Sequence, residues 1–169
     1  MRHTESRSFR PTSKTTGRPD RLSVGPEALF VYGTLQFPEV LSVLIDRVPD
    51  HEPAAVEGWR AAALRERVYP GLVPAQTTAS GYLLTGLTPH EWRVLDAFED
   101  PVYDLVRVDL VDGRHGWTYA WDDTTDVSPD DWSPAYFKAR HLPAYVQRCA
   151  AWRRCYESRG RAGWSFEVG

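Results

Sequence analysis

The sequence predicts an α+β domain built on a small, mixed, barrel-like sheet with flanking helices. Its 169 residues fit a single domain, and 42% hydrophobic with 25% charged residues is an ordinary globular composition. Several short apolar or alternating segments indicate strands, whereas only a few segments have helical periodicity. The order of these segments includes one crossover, which favours a mixed sheet over a regular alternation of strands and helices.

The first 26 residues are predicted to be a disordered, basic segment. Six basic residues there accompany only Glu5 and Asp20, and large apolar side chains are almost absent. Such a composition does not bury enough surface to offset the entropy lost on ordering. A weak tether to nucleic acid or membrane is a minor alternative, because the net charge of −3 gives the whole chain no electrostatic reason to bind either.

An apolar run from Ala28 to Tyr32 predicts a buried strand that stops abruptly at Gly33-Thr34. Glycine permits loop dihedral angles closed to other residues, and its missing side chain lets a ligand approach the backbone. Adjacent backbone amides in such a turn form an anion site. Pro38 then opens a short helix, whose apolar residues at helical spacing continue to Val48.

Residues 54–87 are predicted to form strands with turns, at 55–60, 67–74 and 81–87. Thr88-Pro89-His90-Glu91 then predicts the start of a helix. Thr88 caps it, Pro89 takes the first helical position, and Glu91 completes a capping box. Glu99 follows at the C-terminal end of this helix.

Residues 103–111 and 117–121 predict a hairpin with a loop of about five residues. The acidic stretch 122–131 lacks the spacing of a calcium loop and is predicted to be a solvated loop. A helical region starts at Ser133-Pro134, and the glycine- and arginine-rich tail is expected to be mobile. The predicted domain therefore spans residues 27–158, between the segment 1–26 and the tail 159–169.

Metal and cofactor chemistry is not expected from the residue spacing. The five histidines lack metal-motif spacing, and Cys149 and Cys155 have neither redox nor zinc spacing. We expect two reduced thiols, no metal and no cofactor. An anion-binding turn and one positioned carboxylate, Glu99, are sufficient for proton transfer on an amino-acid-like substrate.

Three sequence blocks carry a resemblance to a known family. They are Tyr32-Gly33-Thr34-Leu35, Tyr69-Pro70-Gly71, and Leu95-Asp96-Ala97-Phe98-Glu99-Asp100 followed by Tyr103. In this order and spacing, they resemble the γ-glutamylcyclotransferase-like family, especially its AIG2-like branch. The resemblance covers about residues 28–150 and includes the later Trp132, Tyr136-Phe137 and His141-Leu142 elements.

The resemblance implies a β-barrel with flanking helices and a cavity at the Tyr-Gly-Thr-Leu loop. It implies an enzyme that cyclises a γ-glutamyl group to 5-oxoproline and releases an amine or amino acid. Glu99 would be the general acid and base, and the substrate would contact the following residues: Tyr32, Gly33, Thr34, Leu35 and Tyr103. Whether the Tyr103 hydroxyl reaches Glu99 or the substrate is open, and Tyr69 is expected to be a core tyrosine.

One position departs from the family pattern. Relatives often carry arginine two residues after the tyrosine that matches Tyr103, where this chain has Leu105. Arg107 would point to the same side of a strand, about 7 Å further along. The alternative function is a binding module of the same fold that senses a small carboxylated metabolite without turnover.

Cellular context is inferred from composition alone. Only two lysines and no asparagine occur, which is typical of a GC-rich, bacterial genome. No apolar run approaches the ~20 residues that cross a bilayer, and no secretory signal is present. We therefore expect a cytoplasmic protein that binds a small γ-glutamyl substrate and neither nucleic acid nor membrane; its oligomeric state is not predicted.

Overall fold

The computed structural model describes the backbone of residues 20–166 and the side chains of residues 20–159. The strands are β1 (Leu29–Val31), β2 (Asp50–Leu64), β3 (Gly71–Thr85), β4 (Tyr103–Asp109), β5 (His115–Trp121) and β6 (Val127–Asp131). The helices are α1 (Pro38–Ile45), α2 (Pro89–Phe98), α3 (Pro134–Arg140) and α4 (Leu142–Phe166). Short 3₁₀ turns occupy Arg21–Val24, Thr34–Gln36 and Thr124–Asp126. The predicted α+β class is confirmed.

The six strands form one mixed sheet in the order β4-β5-β1-β3-β2-β6. β1 is antiparallel to β3 and parallel to β5. At the other end of β3, Leu72 pairs with Ala120 of β5, which joins two strands that β1 separates elsewhere. This second contact between β3 and β5 curves the sheet toward a barrel.

The short strand β1 lies at the centre of the curved sheet, and its side chains alternate between two cores. Leu29 and Val31 belong to the larger core, which lies between the sheet and the helices. Phe30 and Tyr32 belong to a smaller core formed by strand residues. Since all of these side chains are buried, the end of β1 is held firmly, and the chain leaves it at Gly33.

Helix α2 has the start that the sequence predicts. The Thr88 Oγ1 accepts a hydrogen bond from the Glu91 amide at 3.1 Å, and the Glu91 carboxylate accepts one from the Thr88 amide at 2.9 Å. Arg47 also pairs with Glu91 at this end of the helix. At the other end, Glu99 is the C-cap in an extended conformation, and its amide donates to the Leu95 carbonyl.

The middle of the chain differs from the prediction in two places. The predicted strands at 55–60 and 81–87 fall largely within two 15-residue strands, β2 and β3, and the one at 67–74 begins only at Gly71 as part of β3. These two strands pair along most of their length. The predicted acidic loop 122–131 includes β6, whose Val127 and Asp131 pair with β2. An edge strand with exposed acidic residues lacks the alternation by which strands are recognised.

Described elements lie beyond both ends of the predicted domain 27–158. Arg21–Val24 is a 3₁₀ turn and Arg21 is 8% exposed, because this arginine bonds to backbone carbonyls, an interaction that a hydrophobicity criterion does not detect. Residues 1–19 of the predicted disordered segment lie outside the described residues. At the other end, α4 continues to Phe166, beyond the predicted boundary at residue 158, and 167–169 lie outside the described residues.

We expect Thr88→Ala to lower the free energy of unfolding by about 1 kcal/mol, because the cap of α2 is lost. Thr88→Ser, which keeps the hydroxyl, is the matched control and should remain near the wild type. Urea unfolding followed by circular dichroism measures both variants. Equal stabilities for the alanine and serine variants would contradict a stabilising role for this cap.

Candidate active site

A cavity of about 440 Å³ lies at the carboxyl end of β1. Its walls come from the turn after β1, the loop before β3, the end of α2 and one face of α4. All six residues that the sequence predicts for the site line it: Tyr32, Gly33, Thr34, Leu35, Glu99 and Tyr103. The structure thus brings the three separated sequence blocks to one place.

Gly33 allows two loops to meet at this cavity. A Cβ atom at Gly33 would lie 2.8 Å from the Pro70 Cγ, closer than such atoms approach. The Gly33 φ is −121°, outside the left-handed region that favours glycine, and the close approach of Pro70 excludes a side chain here. The residue is small because the Tyr69-Pro70-Gly71 block packs directly against it.

The turn after β1 presents backbone amides at the cavity wall. Within this 3₁₀ turn, the Gln36 amide donates to the Gly33 carbonyl and the Phe37 amide to the Thr34 carbonyl. The amides of Thr34 and Leu35 precede these bonds, so the turn itself does not satisfy them. Such a helix-start arrangement suits the carboxylate of a small ligand.

Glu99 is half-buried at the end of α2, and its charge reaches groups on every side of the cavity. Burial raises the pKa values of four tyrosine hydroxyls and of the Cys149 thiol, and the negative charge of Glu99 raises each of these pKa values further. The groups are Tyr32, Tyr103, Tyr119, Tyr145 and Cys149. The Cys149 pKa rises to about 12. These five groups therefore keep their protons at ordinary pH and are neutral neighbours of Glu99.

Tyrosine hydroxyls around Glu99 bind mainly to protein groups. The Tyr32 hydroxyl donates to the Tyr119 carbonyl at 2.5 Å and accepts from the Leu72 amide at 3.2 Å. The Tyr103 hydroxyl donates to the Pro70 carbonyl. These two tyrosines contribute rings to the cavity wall while their hydroxyls fix neighbouring backbone.

Tyr69 packs against the larger core with its hydroxyl bonded, as expected of a core tyrosine, but it is half-buried and also lines the cavity. Its hydroxyl donates to the Asp100 Oδ2 at 2.9 Å. The Asp100 Oδ1 accepts from the Val102 amide at 2.9 Å. Asp100 thereby fastens the segment that follows Glu99 to the loop that precedes β3.

The cationic side chain at the cavity is not the one that the sequence suggested. Leu105 packs against the larger core, and the exposed Arg107 does not line the cavity. Arg148 of α4 lines the cavity, and its guanidinium carbon lies 5.9 Å from the centre of the Tyr145 ring.

One face of α4 forms a wall that the sequence did not assign to the site. The face comprises Tyr145, Arg148, Cys149 and Trp152. Its i, i+3, i+4, i+7 spacing looks like an ordinary core stripe, so periodicity alone does not distinguish a cavity wall from a packed face.

Cys149 is buried and Cys155 exposed, and neither forms a disulfide. No cluster of three or more potential metal ligands occurs among the residues that the structure describes. In the same part of the chain, no helix is long and apolar enough to cross a membrane.

The chain belongs to the family described as gamma-glutamyl cyclotransferase, AIG2-like, whose sequence model matches residues 29–134. AIG2-like protein C of Arabidopsis thaliana is 44% identical over 104 residues, which is 58% of this chain and 60% of that protein. AIG2-like protein D of the same plant is 32% identical over 74% of this chain and 88% of its own length. These relatives are plant proteins and give no support to the predicted bacterial origin.

Solved structures agree with this assignment. A solution structure of an Arabidopsis thaliana protein superposes with a TM-score of 0.55 at 28% identity, over 81% of this chain and 97% of that one. A crystal structure of a Pyrococcus horikoshii protein has a TM-score of 0.53 at 16% identity, over 68% and 97%, and supports the fold alone.

We expect the free energy of unfolding to fall as the pH rises above about 10, the pKa of tyrosine in an unfolded chain. The pKa of Tyr119 is raised by burial and by the charges of Asp96 and Glu99, so the folded protein keeps a proton that the unfolded chain releases. Tyr119→Phe should reduce this decline by up to about 1.4 kcal/mol per pH unit.

Urea unfolding between about pH 9 and pH 11 measures that slope. The control is Tyr136→Phe, because the Tyr136 side chain is exposed. If Tyr119→Phe and Tyr136→Phe reduce the slope equally, the burial of Tyr119 is not the cause of the decline in the free energy of unfolding.

Proposed function

We propose that this protein is an enzyme that cyclises the γ-glutamyl group of a small substrate to 5-oxoproline and releases an amine or amino acid. The observation that carries the proposal is the shared cavity of the Gly33–Leu35 turn and Glu99. A γ-glutamyl group has an α-carboxylate and an α-amine at one end and the reacting γ-carbonyl at the other. The backbone amides of the turn are placed to bind the α-carboxylate, and the Glu99 carboxylate is placed to accept and return a proton.

In the proposed reaction, Glu99 removes a proton from the substrate α-ammonium group. The amine nitrogen then attacks the γ-carbonyl carbon, and a tetrahedral oxyanion forms. Collapse of this intermediate breaks the bond to the leaving nitrogen, which receives the proton from Glu99. Glu99 then takes the second proton from the ring nitrogen and passes it to the released amine, which departs as its ammonium form. The products are 5-oxoproline and the released amine, and Glu99 returns to its carboxylate form.

The surroundings of Glu99 favour such proton transfer. Tyr32, Tyr103, Tyr119 and Tyr145 remain neutral at ordinary pH because their pKa values are raised, so none supplies a competing negative charge. A folded substrate held at both ends would also gain rate from proximity, since both reacting groups belong to one molecule.

Glu99→Gln should lower kcat for 5-oxoproline formation by about 10²–10⁴-fold, because the amide does not accept the proton. Binding of 5-oxoproline should persist, since the Gly33–Leu35 turn is unchanged. Mass spectrometry of 5-oxoproline from a panel of γ-glutamyl amino acids and amines measures turnover, and calorimetry measures binding. The matched control is Glu57→Gln, an exposed carboxylate on β2.

Full turnover by Glu99→Gln would contradict the proposed mechanism. A wild-type protein that binds 5-oxoproline but forms none would instead favour the binding module.

Arg148 favours a leaving group that carries a carboxylate. It is a cation at the cavity wall, where a carboxylate on the leaving group could meet it. Arg148→Gln should therefore raise KM for γ-glutamyl amino acids by about 10-fold and leave KM for γ-glutamyl amines unchanged. If Arg148→Gln changes KM equally for both types of substrate in the same assay, Arg148 does not select a carboxylate on the leaving group. The control is Arg154→Gln, on the exposed face of α4.

A further inference from the structure

We infer that Arg21, which precedes the part of the chain matched by the family, is a positioning residue for the segment that carries Glu99. Its effect on catalysis rests on the proposed function, whereas its effect on the segment is independent of any reaction. Arg21 does not line the cavity, so it does not contact the substrate.

The Arg21 guanidinium binds both ends of this segment. Nη1 donates to the Tyr103 carbonyl at 2.8 Å and to the Asp100 carbonyl at 3.0 Å. Nη2 donates to the Asp96 carbonyl at 2.7 Å and to the Glu99 carbonyl at 3.2 Å. One side chain thus connects the last turn of α2, the residues after it and the first residue of β4.

The end of α2 explains why an arginine suits this place. The last carbonyls of a helix have no partner within it, and its C-terminal end attracts a cation. The last turn of α2 contains no basic residue of its own, and Arg21 supplies one from another part of the chain. Only arginine has a planar fork of donors that meets several carbonyls at once.

A charge pair fixes the guanidinium in turn. The Arg21 Nε lies 2.9 Å from the Asp96 Oδ1, and the Arg21 side chain is 5% exposed. The same Asp96 oxygen accepts from the Tyr119 hydroxyl at 2.8 Å, and the guanidinium carbon lies 5.1 Å from the centre of the Tyr119 ring. Since Tyr119 lines the cavity, Arg21 supports both its wall and its carboxylate.

Asp100 and Arg21 hold the segment that carries Glu99 in different ways. Asp100 reaches toward Tyr69 and the Val102 amide, while Arg21 holds the backbone carbonyls. Without Arg21, the four carbonyls and the Asp96 carboxylate lose a buried cation together. We expect the Glu99 backbone to shift, whereas the Gly33–Leu35 turn belongs to a different part of the fold and remains in place.

Arg21→Met in the full-length chain tests this inference by kinetics and by hydrogen exchange. We expect kcat to fall by about 10²-fold, the size of effect that a displacement of about 1 Å produces, with KM within about 3-fold of the wild type. The Glu99 and Tyr103 amides, which donate to the Leu95 and Asp100 carbonyls, should exchange faster. Arg21→Lys should give intermediate values, because one ammonium group does not reach all the carbonyls.

The matched control is Arg47→Met. Arg47 pairs with Glu91 at the opposite end of the same helix, so its loss removes an ion pair from α2 without touching the Glu99 segment. We expect a lower Tm for this variant with kcat and the exchange of the Glu99 and Tyr103 amides unchanged.

Three results would overturn the inference. One is a wild-type kcat in the Arg21→Met variant. Another is an Arg47→Met variant that loses as much kcat as Arg21→Met when both variants show the same decrease in Tm. The third is unchanged exchange at Glu99 and Tyr103, which decides the matter even if the wild type forms no 5-oxoproline and the proposed function fails. If Arg21→Met does not fold, the same measurements on Arg21→Lys distinguish these outcomes.

Discussion

The site depends on close contacts between backbone segments around the end of β1. A Cβ atom at Gly81 of β3 would lie 2.0 Å from the Val31 carbonyl oxygen, and one at Gly33 would lie 2.8 Å from Pro70. These distances leave no room for a side chain at either position, so the end of β1 is enclosed by the backbone of β3 on one side and by the Pro70 ring on the other. Because the strand is so firmly enclosed, the turn after it has a fixed position, and its amides form a rigid wall for the cavity.

The carboxylate opposite that turn is held by parts of the chain outside the region that the family model matches. Residues 29–134 contain the turn and Glu99, whereas Arg21 precedes this region and the α4 face with Tyr145, Arg148 and Trp152 follows it. The region that the family model matches therefore contains the turn and the carboxylate, and the flanking segments enclose and support them.

The sequence predicts the features of this fold that depend on local interactions. The capping box of α2 is an example, because Thr88, Pro89 and Glu91 bond to one another within a single turn. The shared cavity of Gly33 and Glu99 followed from the family blocks, and the structure places both residues there.

The Arg21 and α4 contacts were not predictable in the same way. A lone arginine in a polar segment looks solvated until its carbonyl partners are known, and a helical stripe gives no sign of what faces it. The central claim is that the turn binds the carboxylate of a small molecule whose adjacent nitrogen faces Glu99, and a crystal structure of the protein with 5-oxoproline tests it most directly. We predict the ligand carboxylate at the amides of Gly33 to Leu35 and the ring nitrogen toward Glu99. A ligand bound outside this cavity, or bound within it with the carboxylate directed away from the turn, would contradict this claim.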